Sequence, residues 1–276
     1  MKELKKVTAV VCSWNAIQSI EKCLKSLVEN EVSVIVVDAN SDDGSREIAD
    51  LYADLVLTDP RKGLAFARNM GIEHVNTKYV INWGADNILP KGQLEIMLDC
   101  IQKNNLIGVS AQTFIKSDRI NYVTNSLNLY KKARYYPGER NVIGTPTLFE
   151  TDLLKKNKFD SNMTWSDDGD LCTRLAKKKY RFIISKAYVY EHGYETISTI
   201  VERWKNYGKS DSEIYFKYSK EWSLKRKIVS LFYPLNNELL KPLNKLNFFD
   251  KIKILPFLLI VTSVRYFSWI KYSNQR

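Results

Sequence analysis

Two acidic clusters, far apart in the chain, carry the side chains best suited to chemistry. Asp86 and Asn87 follow an apolar, β-rich run, whereas Asp167, Asp168 and Asp170 open an amphipathic helical pattern. An acidic residue at the carboxyl end of a buried strand lies where open α/β sheets bind ligands. Carboxylates at a helix start suit the helix dipole and can also serve as a base or as metal ligands. Together the clusters predict an enzyme site that holds a divalent cation near a phosphate and removes a proton nearby.

Each cluster also has a structural interpretation. Asp86 and Asn87 offer hard oxygen ligands for Mg²⁺ or Mn²⁺, but Asp-Asn is also a common turn pair. The three crowded carboxylates at 167–170 should raise one another's proton affinity, which suits a general base near neutral pH. One of the three is expected only to cap the helix.

Candidate ligand-binding side chains follow the first two predicted strands. Trp14, in Ser13-Trp14-Asn15, could stack on a nucleobase or could be a surface lid. Asp38 could accept hydrogen bonds from a base or a ribose, or could be a turn residue.

Arg68 and His192 are the other candidates for ligand contacts. Arg68 lies one turn into a helix opened by small residues, which suits a phosphate, although most arginines are surface residues. His192 follows a strand and could be a metal ligand, whereas an isolated histidine is more often structural.

The basic excess is concentrated near the C-terminus. Of a net charge of +11 over 276 residues, residues 200–276 contribute +9, and aromatic residues are interleaved with the lysines and arginines. This pattern favours a membrane surface over nucleic acid. The apolar run at 254–264 is too short to span a bilayer, and extending it includes Arg265. We expect an interfacial or re-entrant element; a single span and a basic helix packed on the main domain are the alternatives.

The cysteines and the N-terminus indicate the compartment. Cys12, Cys23, Cys100 and Cys172 lack metal-ligand spacing and are predicted to be buried free thiols, as in a reducing cytosol. Residues 1–6 lead into a strand without an apolar signal region. We therefore expect the protein at the cytoplasmic side of the cell membrane.

Strand and helix patterns alternate through the first half of the chain, which predicts an α/β fold with a mainly parallel sheet and helices on both faces. Predicted strands cover 7–12, 32–37, 55–57, 79–83, 107–115, 141–149 and 181–190. Residues 117–140 are predicted as loop or helix, and 168–178 as helix. From residue 197 the chain is predicted to be helical, with interruptions at Pro234, Pro242 and Pro256.

Taken in order, these segments resemble the family 2 glycosyltransferases, which have the GT-A fold. The resemblance covers about residues 7–210, and it depends on the ordered set of motifs, since each motif alone is weak. The motifs are VVCSWN (10–15), VVDANSDDGS (36–45), GLAFARNMG (63–71), GADNILP (84–90) and DDGDLCTRL (167–175).

The resemblance implies an inverting, metal-dependent hexosyltransferase that uses a UDP- or GDP-sugar. Asp168 would match the catalytic base, and Asp86 would be the last acidic position of the metal-binding DxD motif, with Asn87 and His192 as possible further ligands. Nucleotide-sugar contacts would come from Ser13, Trp14, Asn15, Asp38, Arg68, Gly84, Ala85 and Asp86. The acceptor side would include Trp165, Asp167, Arg203 and Trp204.

Three positions depart from the family pattern. Gly84 stands where the first DxD aspartate is usual, Trp14 replaces a tyrosine, and Ala39 stands where a second acidic residue is frequent. We therefore expect a glycosyltransferase domain at 1–210 and a membrane-associating helical region at 211–276, acting on a membrane- or lipid-linked glycan. The alternatives are a weak or inactive nucleotide-sugar- or glycan-binding homologue at the membrane and a nucleotidyltransferase; the latter would need a glycine-rich, basic loop after the first strand, which 13–16 lacks.

Overall fold

The structure, a computed structural model, describes residues 6–103, 106–117, 120–193 and 196–274. The chain forms two compact units, one of residues 1–113 with 137–192 and one of residues 114–136 with 193–276. The boundary predicted after residue 210 falls instead inside a helix, Ile197–Tyr218. The helical unit also takes in residues from the middle of the chain, because apolar residues near 127–130 pack in its core.

The described strands form one nine-stranded sheet. They are β1 (Val7–Ser13), β2 (Ser33–Asp38), β3 (Leu55–Thr58), β4 (Tyr79–Gly84), β5 (Asn87–Ile88), β6 (Gly108–Ile115), β7 (Gly138–Arg140), β8 (Thr147–Glu150) and β9 (Phe182–Glu191). The order is β3-β2-β1-β4-β8-β6-β9-β5, with β7 paired to β9.

The sheet is parallel where nucleotide-binding residues were predicted. β1 pairs in parallel with β2 and β4, and β2 pairs in parallel with β3. β8 is antiparallel to both β4 and β6. The predicted mixed α/β sheet is confirmed, and its parallel part is formed by β1 to β4. Its central strands are buried because their apolar runs face helices on both sides, as at Val10 and Val11.

The described α-helices are numbered in chain order. They are α1 (Ile20–Val28), α2 (Ser45–Tyr52), α3 (Leu64–Glu73), α4 (Gln93–Lys103), α5 (Tyr122–Arg134), α6 (Thr151–Lys156), α7 (Asp167–Lys177), α8 (Ile197–Tyr218), α9 (Leu224–Leu231), α10 (Lys241–Lys245) and α11 (Phe248–Ser273). A 3₁₀ turn (Ser219–Glu221) and a π-helical segment (Leu235–Leu240) lie between helices of the second unit.

Two local predictions were wrong. The strand predicted at 141–149 is confined to β8, because 141–146 form a loop with a cis Thr145-Pro146 peptide bond. The Ser110 hydroxyl oxygen lies 3.0 Å from the carbonyl oxygens of both Gly144 and Pro146 and can donate to either, which fixes this loop. Pro256, predicted to interrupt a helix, lies inside α11.

The helical unit has its own apolar core and a buried polar network. Tyr130, Trp204 and Phe257 pack edge to face or tilted, with ring centroids 5.4 to 6.3 Å apart. Glu238 accepts hydrogen bonds from the Tyr130 hydroxyl at 2.6 Å, from Trp204 Nε1 at 2.7 Å and from Arg265 Nη1 at 2.6 Å. Three helices and the π-helical segment thereby share one buried carboxylate.

Gly208 sets how closely α8 and α11 approach. A β-carbon at this position would lie 2.4 Å from the Arg265 carbonyl oxygen and 2.8 Å from Cβ of Ser268. The Ser268 hydroxyl donates to the Lys205 carbonyl at 2.7 Å. Small residues therefore let these two helix backbones come into contact.

Candidate active site

The loop after β1 is tied to the loop after β2. The Asn15 side chain donates from Nδ2 to Asp42 Oδ1 at 2.9 Å and accepts at Oδ1 from the Asp42 backbone N–H at 3.1 Å. The backbone N–H of Asn15 donates to the Ser41 hydroxyl at 2.9 Å. Asn15 has a φ of 47°, in the left-handed region that asparagine tolerates. The turn leaves the neighbouring Trp14 64% exposed.

Trp14 is paired with an arginine that the sequence did not single out. The Arg61 guanidinium lies 5.8 Å from the Trp14 ring centroid. Arg61 is held by hydrogen bonds from Nε to the Ala39 carbonyl at 2.9 Å and from Nη2 to the Asn40 carbonyl at 3.0 Å. An exposed indole beside a fixed cation suits the stacking of a nucleobase and the neutralisation of a phosphate. The one sequence signal was position, since Arg61 follows β3 at the same edge of the sheet as Trp14.

Asp38 and Ser13 lie beneath these loops. Asp38 is fully buried, and its carboxylate accepts from the Ser41 N–H at 2.9 Å and from the Ser41 hydroxyl at 2.6 Å. Asp38 therefore shapes the turn after β2. The Ser13 hydroxyl is buried and finds no hydrogen-bond acceptor or donor among the described residues. The sequence-predicted contacts of both side chains with a nucleotide stay predictions.

Arg68 and the second acidic cluster come together, although they lie far apart in sequence. Arg68 Nη1 donates to Asp167 Oδ2 at 2.6 Å and to Asp168 Oδ1 at 2.9 Å. Its Nη2 donates to the Thr145 hydroxyl at 2.7 Å, and its guanidinium lies 5.3 Å from the Phe159 ring centroid. Arg68 was expected near a base or a diphosphate; in the structure it holds the carboxylates at the start of α7.

The three aspartates of α7 have different surroundings. The Asp167 side chain is 10% exposed and that of Asp168 is 25% exposed, whereas Asp170 is fully buried and pairs with Arg174 at 2.8 Å. The N-cap position belongs to Ser166, so the carboxylates lie in the first helical turn and not at the cap as predicted for one of them. Asp168 is thus the most accessible of the three carboxylates.

Burial raises the pKa of Asp168 to about 6. The Arg68 charge opposes this shift, the neighbouring Asp167 charge reinforces it, and hydrogen bonds from the Thr145 backbone and from Arg68 lower the pKa. The expected like-charge effect is present, but loss of hydration is the larger cause. A carboxylate that titrates near 6 is ionised at neutral pH and still basic enough to take a proton.

The side-chain oxygens of the first acidic cluster lie close over Gly84. A β-carbon on Gly84 would lie 2.6 Å from Asp86 Oδ1 and 2.7 Å from Asn87 Oδ1, so both oxygens point into the space that a side chain would fill. Carboxylate and amide oxygens are the ligands that Mg²⁺ and Mn²⁺ prefer. These residues therefore fit a divalent cation.

His192 is tied to the same segment through its backbone. Its N–H donates to the Asp86 carbonyl at 2.8 Å, and Asn87 is paired with Glu191 across β5 and β9. Among the described residues, no group of three His, Cys, Asp or Glu side chains converges as a complete metal site. Asp86 and Asn87 would therefore supply part of the ligands of a cation and not a full set.

The residues predicted for the acceptor side are spread over both units. Trp165 is half-buried just before α7. Arg203 and Trp204 lie on α8, where Arg203 Nε donates to the Tyr207 hydroxyl at 2.8 Å. Trp204 is 1% exposed inside the helical unit, which is the surrounding of a core residue. Ala85 packs against the core of the sheet unit.

Two cysteines lie beside Gly84: Cys12 is its register partner across β1 and β4, and the Cys23 thiol donates to the Gly84 carbonyl at 3.4 Å. None of the four forms a disulfide, as predicted; Cys23 and Cys172 are buried, whereas Cys12 and Cys100 are only partly buried, in contrast to the predicted burial. Burial raises the pKa of the Cys172 thiol to about 12, so it is protonated at neutral pH.

Curated proteins with similar sequences are glycosyltransferases. The chain is 28% identical over 130 residues to a cholesterol galactosyltransferase of Borreliella burgdorferi, covering 44% of this chain and 36% of that protein. It is 27% identical over 200 residues to the amylovoran biosynthesis glycosyltransferase AmsB of Erwinia amylovora, covering 64% of this chain and 66% of that protein. The aligned part spans about a third of the length of several curated relatives that the chain matches.

Solved structures show the same fold. A mannosyltransferase from Pyrobaculum calidifontis, in complex with GDP-Man and Mn²⁺, matches with a TM-score of 0.62 at 18% identity, covering 99% of this chain and 85% of that one. TarS 1–349 of S. aureus in complex with UDP-GlcNAc matches with a TM-score of 0.55 at 15% identity, covering 98% and 90%. The predicted GT-A fold is confirmed.

The chain also matches one protein family as a whole. The family described as glycosyl transferase family 2 matches residues 8–162, more than half of the chain. This range includes β1 from its second residue, β2, Arg68 and the Gly84–Asn87 segment. The chain belongs to glycosyl transferase family 2.

Proposed function

We propose that this protein is an inverting glycosyltransferase that moves a sugar from a UDP- or GDP-sugar to a hydroxyl of a membrane- or lipid-linked glycan. The observation that carries the proposal is Asp168: a partly exposed carboxylate with a pKa raised to about 6, held by Arg68 and the loop at Thr145. This is the arrangement that a general base needs.

In the proposed step the acceptor hydroxyl gives its proton to Asp168 while its oxygen bonds to the anomeric carbon. The bond from that carbon to the nucleoside diphosphate breaks, and the diphosphate leaves with the electron pair. Attack opposite the leaving group inverts the anomeric configuration. Arg68 Nη1 donates to Asp168 Oδ1 and the Thr145 N–H also donates to this carboxylate, so both contacts hold it in place for the proton transfer.

Donor binding is assigned to the edge of the parallel strands. Trp14 and Arg61 would stack on the base and neutralise phosphate charge. Asp86 and Asn87 would hold a divalent cation, which, when bound, stabilises the negative charge on the departing diphosphate. The nucleotide-sugar complexes of the fold neighbours support this class of donor.

The acceptor class is supported by the relatives and by the basic helical unit. One relative is described as a cholesterol galactosyltransferase and another as an enzyme of amylovoran biosynthesis. An acceptor at a membrane would also suit the excess of positive charge in residues 200–276.

A thermal-shift panel of UDP, GDP, CDP and dTDP, with and without Mn²⁺, tests donor binding. One nucleotide should raise the midpoint by mass action, and Mn²⁺ should enlarge its effect. Trp14→Ala should reduce the shift, whereas Leu51→Ala, which removes another exposed apolar side chain, should leave it unchanged. No shift with any nucleotide would contradict the proposal. A shift without sugar transfer or donor hydrolysis would identify a binding homologue.

A further inference from the structure

The outward face of α11 is apolar over most of its length, with the exposed Ser263 as a polar residue within it. Its exposed residues recur at helical spacing and form one stripe roughly 33 Å long at 1.5 Å per residue. The stripe contains Phe248, Ile252, Leu255, Leu259, Phe267 and Ile270, all 39% to 72% exposed. The opposite face, with Ile254, Phe257, Leu258 and Val261, is buried in the core of the helical unit. A helix that is apolar on both faces needs a cover for the outer one.

The buried face shows how α11 can meet a bilayer. By length and composition alone α11 could cross a membrane, but 44% of its most apolar window is buried within the protein. Arg265 on the buried face forms a bidentate salt bridge with Asp211, with hydrogen bonds of 2.6 and 2.7 Å, and donates a further hydrogen bond to Glu238. Spanning would either break this pairing or draw α8 with its lysines into hydrocarbon, both at high cost.

A lysine-lined groove flanks the stripe. The groove, of about 730 Å³, lies between α8 and α11 and is lined by Lys205, Lys209 and Lys271 together with Phe267 of the stripe. Glu202, the acidic residue of the lining, is paired with Lys205 at 3.2 Å. The groove therefore carries a net positive charge next to exposed apolar side chains, which suits a phosphate headgroup beside its acyl chain.

The short helix α9 adds a second patch of the same kind. The Tyr266 hydroxyl of α11 donates to the Leu231 carbonyl at the end of α9 at 2.9 Å. Leu224, Ile228 and Phe232 are 46% to 75% exposed, and residues 225–227 are Lys-Arg-Lys. Apolar and basic side chains thus alternate around both helices.

We propose that the stripe of α11, the lysine groove and α9 form one docking surface for an anionic phospholipid bilayer, with α11 lying in the plane of the interface and not crossing the membrane. The lysines complement the charge of anionic headgroups and the apolar stripe suits acyl chains, so lipid is the partner that we assign to this surface. The inference rests on the proposed function only for its purpose, which is to bring the enzyme to a membrane-linked acceptor.

Vesicle flotation of the full chain, without nucleotide or acceptor, tests the proposal. We expect binding to phosphatidylcholine mixed with phosphatidylglycerol, weak binding to phosphatidylcholine alone, and release by salt or alkaline carbonate. Leu259→Ser with Phe267→Ser should weaken binding by at least roughly tenfold. The triple variant with Lys205, Lys209 and Lys271 changed to Gln should bind the anionic vesicles roughly fivefold more weakly for each lysine removed.

Matched controls lie in the sheet unit. The double variant Leu51→Ser with Ile96→Ser removes exposed apolar side chains from this unit. The triple variant with Lys22, Lys91 and Lys177 changed to Gln removes the same amount of charge. Both control variants should bind the vesicles as the parent protein does. Equal loss in the controls, absence of binding to anionic vesicles at low salt, or resistance to carbonate extraction would each overturn the proposal. Nucleotide thermal shifts on the same variants should not change, so failure of this surface is distinguishable from failure of the proposed enzyme activity.

Discussion

Arg68 Nη1 lies 2.9 Å from Asp168 Oδ1, and the same nitrogen lies 2.6 Å from Asp167 Oδ2. One guanidinium thus holds two carboxylates at the start of α7. Burial pushes the Asp168 pKa up and the Arg68 charge pulls it down, and the balance is a value of about 6. The pair therefore sets the pH at which the proposed base becomes available.

The pH dependence of transfer should report this value. Asp168 must be ionised to accept a proton, so kcat/KM should fall about tenfold per pH unit below about 6 and be level above it. Initial rates from acid to neutral pH, at constant ionic strength, check this. Rates that stay level well below pH 6 would exclude Asp168 as the titrating base.

Arg68→Gln separates two roles for this arginine. If Arg68 lowers the Asp168 pKa, its loss should raise the apparent pKa on the acid side of the kcat/KM profile by about one pH unit or more. An opposite charge at this distance contributes shifts of that size. If Arg68 instead contacts only the diphosphate, KM for the donor should rise while the apparent pKa of the pH profile stays the same. Arg181→Gln, which removes an exposed ion pair with Glu139, is the control and should leave the profile unchanged.

Gly84→Ala should weaken the response to a divalent cation. The added methyl would lie 2.6 and 2.7 Å from the Asp86 and Asn87 side-chain oxygens and must displace them. We expect a smaller Mn²⁺-dependent increase in the thermal midpoint with nucleotide, while the midpoint without metal changes little. An undiminished Mn²⁺ effect in this variant would place the cation elsewhere.

Glu238→Gln should destabilise the helical unit by about 3 kcal/mol, because it leaves the buried Arg265 with one carboxylate partner fewer. Urea unfolding followed by tryptophan fluorescence checks this, since Trp204 donates to Glu238. Glu221→Gln is the exposed control and should change stability by less than about 0.5 kcal/mol. Similar midpoints for both variants would mean that the network contributes little.

The sheet was predictable because its signal is local. The continuous apolar runs of β1 and β2, and the helical spacing between them, specify buried parallel strands without knowledge of their partners. The loop before β8 was not predictable in the same way. Its residues look strand-like, but a proline without an N–H and the contacts of Ser110 from β6 decide its course.

The residues of the candidate site could be selected from the sequence, but the contacts between them could not. Asp86, Asp168 and Arg68 could be selected from type and position, whereas the Arg68–Asp168 bond joins residues 100 apart, and no periodicity reports such a contact. Arg61 was missed for the same reason, since its anchors are carbonyl oxygens of another loop. Trp204 was selected by motif, yet tertiary packing buries it against Tyr130 and Phe257.

Sugar transfer by Asp168→Asn is the most direct test of the central claim. The amide keeps the shape of the side chain but cannot take the proton, so we expect turnover to fall by about 10²- to 10⁴-fold, with the nucleotide thermal shift retained. Asp170→Asn, a change in the same helical turn to a carboxylate that pairs with Arg174, should keep transfer in protein that remains folded. Turnover by Asp168→Asn equal to that of the parent protein would contradict the assignment of Asp168 as the base.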